Sequence, residues 1–155
     1  PFRWLLLPLV LSAAALAQAP ARYFGIQVVD EATGRGVPLI ELRTVDHQAF
    51  VTDSAGWVAL DEPALHGEEV FFHVSGHGYT FPADGFGIRG KAVRVEPGKT
   101  VTLRIRRDNV AERLYRCTGA GIYRDAQLLG KATPLPGGLT ARVMGCDSVQ
   151  KAVYR

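Results

Sequence analysis

Apolar and polar residues alternate along most of the chain with a period of two, the pattern of a strand that buries one face. Phe24, Ile26 and Val28 alternate with Gly25 and Gln27. Asp30-Glu31-Ala32-Thr33-Gly34-Arg35-Gly36 then supplies a turn, and Val37–Val45 is a second run in which Ile40 and Leu42 alternate with Glu41 and Arg43. Phe50-Val51-Thr52 and Trp57-Val58-Ala59-Leu60 flank the turn Asp53-Ser54-Ala55-Gly56. Val70-Phe71-Phe72-His73-Val74 is the most apolar run and is expected at the centre of a sheet. Ala92–Val95 and Val101–Ile105 lie on either side of Pro97-Gly98-Lys99-Thr100, a hairpin turn. Only Pro63-Ala64-Leu65-His66 reads as a helical turn. About seven short strands at this spacing predict an all-β fold, an antiparallel seven-stranded sandwich over residues 20–107.

Both ends break the pattern. Arg3 precedes an uncharged apolar run, Trp4–Leu11, and then small residues to Ala17. A basic residue, a short apolar stretch and small residues follow one another as in a signal peptide, and the run falls short of the roughly 20 apolar residues of a membrane span. Residues 1–19 are therefore read as a signal peptide, with small-x-small sites at Ala15-Leu16-Ala17, the preferred one, and Ala17-Gln18-Ala19; the alternative is a hydrophobic anchor helix that is never cleaved. This predicts a secreted or periplasmic protein that keeps no membrane segment after cleavage. After Arg107 a polar joint, Asp108–Arg113, begins a different segment. Pro134, Pro136, Gly137 and Gly138 make an extended connection, and Val149–Arg155 reads as a strand in progress. Pro1 in place of an initiating methionine and that open last strand suggest a sequence cut at both ends, with a domain boundary near residue 108.

Composition narrows the function classes. The chain has 155 residues, 47% hydrophobic, with a formal net charge of +3, which falls to +2 once Arg3 is removed. Arg104, Arg106 and Arg107 are the only dense basic group, and alternation makes the first two the solvated face of a strand. Nucleic acid is not an expected partner. Cys117 and Cys146, 29 positions apart, either close a disulfide worth about 3 kcal/mol or stand as two unpaired thiols. The four histidines are scattered. His73 and His77 lie four apart in a strand-and-loop segment, where strand geometry would separate them by about 13 Å. No metal and no cofactor are expected. The Thr118-Gly119-Ala120-Gly121 run lacks the strand and helix that would frame a phosphate loop.

The chemistry that remains concerns carboxylates and rings. Asp30, Asp53, Asp61 and Asp84 sit in turns, where an Asp side chain accepts nearby backbone N–H groups. Tyr79, Phe81 and Phe86 lie in the long Gly-rich segment Ser75–Gly90 and are candidates for a sugar-stacking platform. The alternative is that Phe81 and Phe86 fold back to cap the sandwich.

Two resemblances add to this. The runs Val28–Pro38, Thr52–Gly56 and Val95–Leu103, in that order and spacing, resemble the carboxypeptidase regulatory-like, transthyretin-like sandwich over residues 23–107. That likeness implies a non-catalytic accessory or interaction module. Ala111–Arg116, Thr118–Asp125 and Gly145–Val149 are similar to the entry into a secreted bacterial five-bladed β-propeller, so that residues 108–155 would be a linker and the start of that domain. Some related propellers are glycoside hydrolases using paired acidic residues, and the likeness marks Asp147 as a candidate carboxylate of the parent protein. A glutamine is expected where Cys146 stands, and the second carboxylate would lie beyond Arg155. The implied partners are the C-terminal domain of the same chain and carbohydrate. The competing expectation is a cell-surface adhesion or structural module with no enzyme attached; a small binding protein complete in itself is a third.

Overall fold

The structure, a computed structural model, describes residues 22–114 and 121–134. The first alternating run becomes β1 (Phe24–Asp30), which pairs antiparallel with β4 (Trp57–Leu60) and parallel with β8 (Thr100–Arg107). The two-residue β6 (Tyr79–Thr80) adds to the far side of β8, so that the first sheet runs β4-β1-β8-β6. The second sheet is antiparallel throughout: β2 (Glu41–Arg43), β3 (Ala49–Val51), β5 (Glu69–Ser75) and β7 (Gly90–Arg94) lie in the order β3-β2-β5-β7.

One apolar cluster joins the two sheets. Ile26, Val28, Leu60, Leu103 and Ile105 from the first meet Leu42, Phe72, Val74 and Val93 from the second, all buried. Each such side chain taken out of water contributes about 1.5–3 kcal/mol, so this face of the alternation fixes which side of each strand points inward. The protein is thus a two-sheet β-sandwich. The most apolar run, β5, is interior to its sheet, as its composition predicts.

Three departures from the sequence expectation have local causes. The sandwich has eight strands rather than seven, because β6 forms inside the Gly-rich segment, where two residues offer no alternation to read. The sheets are not wholly antiparallel, since β1 and β8 run parallel; pairing direction is not encoded in an apolar pattern. The run Val37–Val45 contributes only Glu41–Arg43 as strand, because Leu39 turns the chain with φ 58°. The helical turn over Pro63–His66 is present as a 3₁₀ turn at Pro63–Leu65.

The segment Thr52–Gly56 ties the sheets at one end. Thr52, fully buried, donates its hydroxyl to the Val37 carbonyl at 2.7 Å and accepts the Ile40 N–H at 2.9 Å. Gly56 sits at φ 76°, and a Cβ there would stand 2.4 Å from the Val28 carbonyl oxygen. Only glycine fits both demands. Thr52→Val keeps the shape and removes both side-chain hydrogen bonds, leaving a buried carbonyl and N–H to be rescued. Chemical denaturation is expected to show a loss of about 1–3 kcal/mol; a change within 0.5 kcal/mol, the usual range of a neutral surface substitution, would mean that Thr52 is only space-filling.

Candidate functional site

The most constrained polar group in the described residues is Asp53. The residue is 2% exposed, and its carboxylate forms no ion pair among the described residues. Three backbone N–H groups take the place of water. Oδ1 accepts from Ala55 and Trp57, both at 2.9 Å, and Oδ2 accepts from Ala126 at 2.8 Å. The first two bonds are the turn expected from Asp-Ser-Ala-Gly. The third reaches across 73 positions to the short helix α1 (Arg124–Leu128). Ala126 lies in the first turn of that helix, whose N–H groups lack partners within the helix, so Asp53 caps α1 from the sandwich.

Further bonds seat the same segment. The Ser54 N–H donates to the Ile122 carbonyl at 2.7 Å, and the Asp125 carboxylate accepts the Ala59 N–H at 3.2 Å. The latter acceptor covers a donor on β4, an edge strand, and an unpaired edge would otherwise invite pairing with another chain. Ile122 and Ala126 are buried, and the Lys131 ammonium lies 5.0 Å from the centre of the Trp57 ring. Leu129 closes over Gly25, where a Cβ would stand 3.1 Å from Leu129 Cδ1 and 2.8 Å from Thr100 Cγ2. This covers the outward face of β1 at Gly25, a position that alternation alone would leave exposed.

The joint after β8 is held as well. The Arg113 guanidinium donates to the carbonyls of Pro38, Leu39 and His77, at 2.9, 3.0 and 2.6 Å. It also lies over the Tyr79 ring, and the Arg113 N–H donates to the Tyr79 hydroxyl at 3.1 Å. Glu112 pairs with Arg35 and with Arg107, which in turn approaches the buried Asp30 carboxylate to 3.7 Å. Glu112, Arg113 and the segment Ile122–Lys131 are therefore held against the sandwich, although the strand pattern stops at Arg107.

Between β3, β4 and α1 is an open cleft of about 490 Å³. Tyr23 and Phe50 supply rings, Asp61, Arg124 and Asp125 supply charge, and Leu128 closes one side. The side-chain hydrogen bond from Arg22 holds the Asp61 carboxyl below the usual carboxylate range.

The structure separates the three rings proposed for a sugar platform. Tyr79 is 6% exposed, with its hydroxyl used by Arg113, because β6 directs it into the core. Phe81 is half-buried against the same core. Phe86 is 92% exposed at the tip of a turn in which Asp84 accepts the N–H groups of Phe86 and Ile88. The three therefore present no joint surface. Among the described residues no group of three or more His, Cys, Asp and Glu side chains is placed to hold a metal, and no helix is long and apolar enough to cross a membrane. Asp147, Cys117, Cys146 and residues 1–19, the expected signal peptide, lie outside the described residues. No family model matches the chain, and no curated protein matches it.

Sequence reasoning missed Arg113, Asp125 and Ala126. A signal existed in Ile122, Ala126 and Leu129, spaced by four and three positions as on one helix face, but the stretch is too short to register as a period.

Because its pKa is lowered by folding, Asp61 contributes to stability above its unfolded value of about 3.9, and that contribution is lost as pH falls through the folded midpoint. An NMR titration is expected to place the Asp61 midpoint below the unfolded value, and Arg22→Ala to move it back up. A midpoint unaffected by the substitution would remove Arg22 as the cause.

Proposed function

We propose that this chain is a non-catalytic accessory module of a larger exported protein, whose sandwich seats and orients the segment leading to the C-terminal part of the same chain. The observation that supports this best is the capping of α1 by the buried Asp53 carboxylate: a module linked by a free tether would have no reason to bury a carboxylate for the chain that follows it. The Arg113 contacts with Pro38, Leu39 and His77 add a second attachment at the other side of the link. The resemblance to regulatory-like sandwiches agrees with such a role. In this reading any hydrolysis of carbohydrate belongs to the C-terminal part, with Asp147 as one of its carboxylates, and the protein works outside the cytoplasm.

A second reading, adhesion at a cell surface without an enzyme, draws on Phe86. An almost fully exposed ring on a turn fixed by the Asp84 carboxylate is pre-ordered for contact, which lowers the entropy cost of binding.

The test is Asp53→Asn in the full-length protein. Asparagine retains an oxygen for Ala55 and Trp57 but turns an NH₂ group toward the Ala126 N–H, so two donors face one another. Hydrogen exchange at Ala126 and Leu129 is expected to quicken about tenfold or more, while the amides of β5 keep their protection. In the same protein Asp147→Asn is expected to abolish hydrolysis of glycans and leave that exchange unchanged. Unaltered exchange at Ala126 in Asp53→Asn would overturn the seating role.

A further inference from the structure

We infer that the groove between the Thr44–Asp46 segment and the start of β5 binds an extended peptide of alternating cationic and apolar residues, which adds to β5 as a short strand. None of the groove's walls belongs to the segment after β8, so the inference goes beyond the seating of α1 and does not rest on it.

The groove exists because β2 leaves its sheet early. The register of β2 with β5 ends at Arg43 and His73, whereas β5 begins at Glu69 and is paired there with β7 alone. A tight turn takes the chain away from β5. The Thr44 N–H donates to the Gln48 carbonyl at 2.9 Å, the Gln48 N–H donates to the Thr44 hydroxyl at 3.0 Å, and His47 sits at φ 69°. Main-chain bonds along an antiparallel strand go to alternate sides. The ladder between β5 and β7 uses even-numbered positions on the β5 side, since the Val74 N–H donates to Arg89 and the Val95 N–H to Glu68. The main-chain N–H and C=O groups of Glu69 and Phe71 therefore point to the side that β2 has left. That side is a space of about 520 Å³, with Thr44, Val45, Asp46 and Val70 as its other walls.

These walls select the occupant. A row of main-chain donors and acceptors at strand spacing matches another extended backbone, as in peptide recognition by strand addition. A compact ligand would leave that row to water. In an added strand, residues opposite Glu69 and Phe71 share their outward face, and the residue between them faces the Val70 side. The outward positions meet acid. Glu69 is exposed and makes no ion pair among the described residues. The Asp46 carboxyl is held below the usual carboxylate range by hydrogen bonds from the Thr44 hydroxyl and the Gln48 side-chain amide. No Lys or Arg lines the groove, and Arg43 and Arg94 on the flanking strands pair with Glu41 and Glu96. Cationic side chains complement the two carboxylates, while Val45, 69% exposed, and the half-buried Val70 suit apolar ones. Phe71 is already in place, with a ring so close to Gly90 that a Cβ there would stand 2.5 Å away, and with an edge contact to His73 at 5.0 Å. Groups ordered before the peptide arrives need not be ordered by it.

The experiment is an amide-resolved NMR titration of the full chain with the capped peptide Lys-Val-Lys-Val-Lys at millimolar concentrations. Saturable shifts are expected at Val45, Glu69 and Phe71, with slowed hydrogen exchange of the Glu69 and Phe71 amides. Glu69→Gln, at an exposed position, is expected to weaken binding about threefold without loss of fold. Two control peptides are expected not to bind: Glu-Val-Glu-Val-Glu, and the lysine peptide carrying N-methyl groups on the main-chain nitrogens of its lysines. The absence of saturable shifts with the lysine peptide, or shifts centred on Phe86, would overturn the site. Equal binding of the glutamate peptide would overturn the charge selection, and equal binding of the N-methylated peptide would overturn strand addition. Shifts of the same amides on dilution of the chain alone would give the groove to a second copy and overturn the peptide as its occupant.

Discussion

The organisation of this protein depends on a buried carboxylate whose partners among the described residues are backbone N–H groups, not a cation. A lone ionised group cannot be taken from water unless other groups supply the solvation it loses, and at Asp53 that task falls to three backbone N–H groups from two distant parts of the chain. Two come from the turn that Asp53 itself begins. The third comes from α1, so the turn is complete only when the C-terminal segment is seated. The same residue thus orders the turn between β3 and β4 and captures a helix.

Its neighbours make the capture firm. Thr52 locks the preceding backbone to Val37 and Ile40, and Gly56 lets the chain pass within reach of β1. Arg113 performs a related task on the other side of the link, where a planar guanidinium satisfies three carbonyls that loops would otherwise leave to water. The core supplies most of the free energy of folding; these polar clamps decide where the chain beyond β8 goes.

How much of this could be read from the residues differs by element. Alternation in β1 and β8 and the apolar run of β5 gave their inward faces correctly, because burial of one face leaves a period-two record. The turn at Asp53 was legible because Asp, Ser and Gly carry their turn chemistry locally. Its second oxygen was not, since nothing nearby records a partner 73 positions away. β6 and α1 are too short to write a period, and Leu39 breaks a run that looks continuous because its left-handed conformation leaves no trace in hydropathy. Among the candidate ligand residues, Tyr79, Phe81 and Phe86 share a segment in sequence but not a surface, while the rings that do line a cleft, Tyr23 just before β1 and Phe50 on β3, come from different sheets. Proximity of that kind is set by topology.

The central claim is that the seated helix and the sandwich open together. Native-state hydrogen exchange over a series of denaturant concentrations tests it on the unmodified chain. The account predicts that the Ala126 and Trp57 amides, which share the Asp53 carboxylate, exchange through one opening, with the same free energy and the same denaturant dependence. An Ala126 amide that exchanges by local fraying, independent of denaturant, while Trp57 remains protected would contradict it.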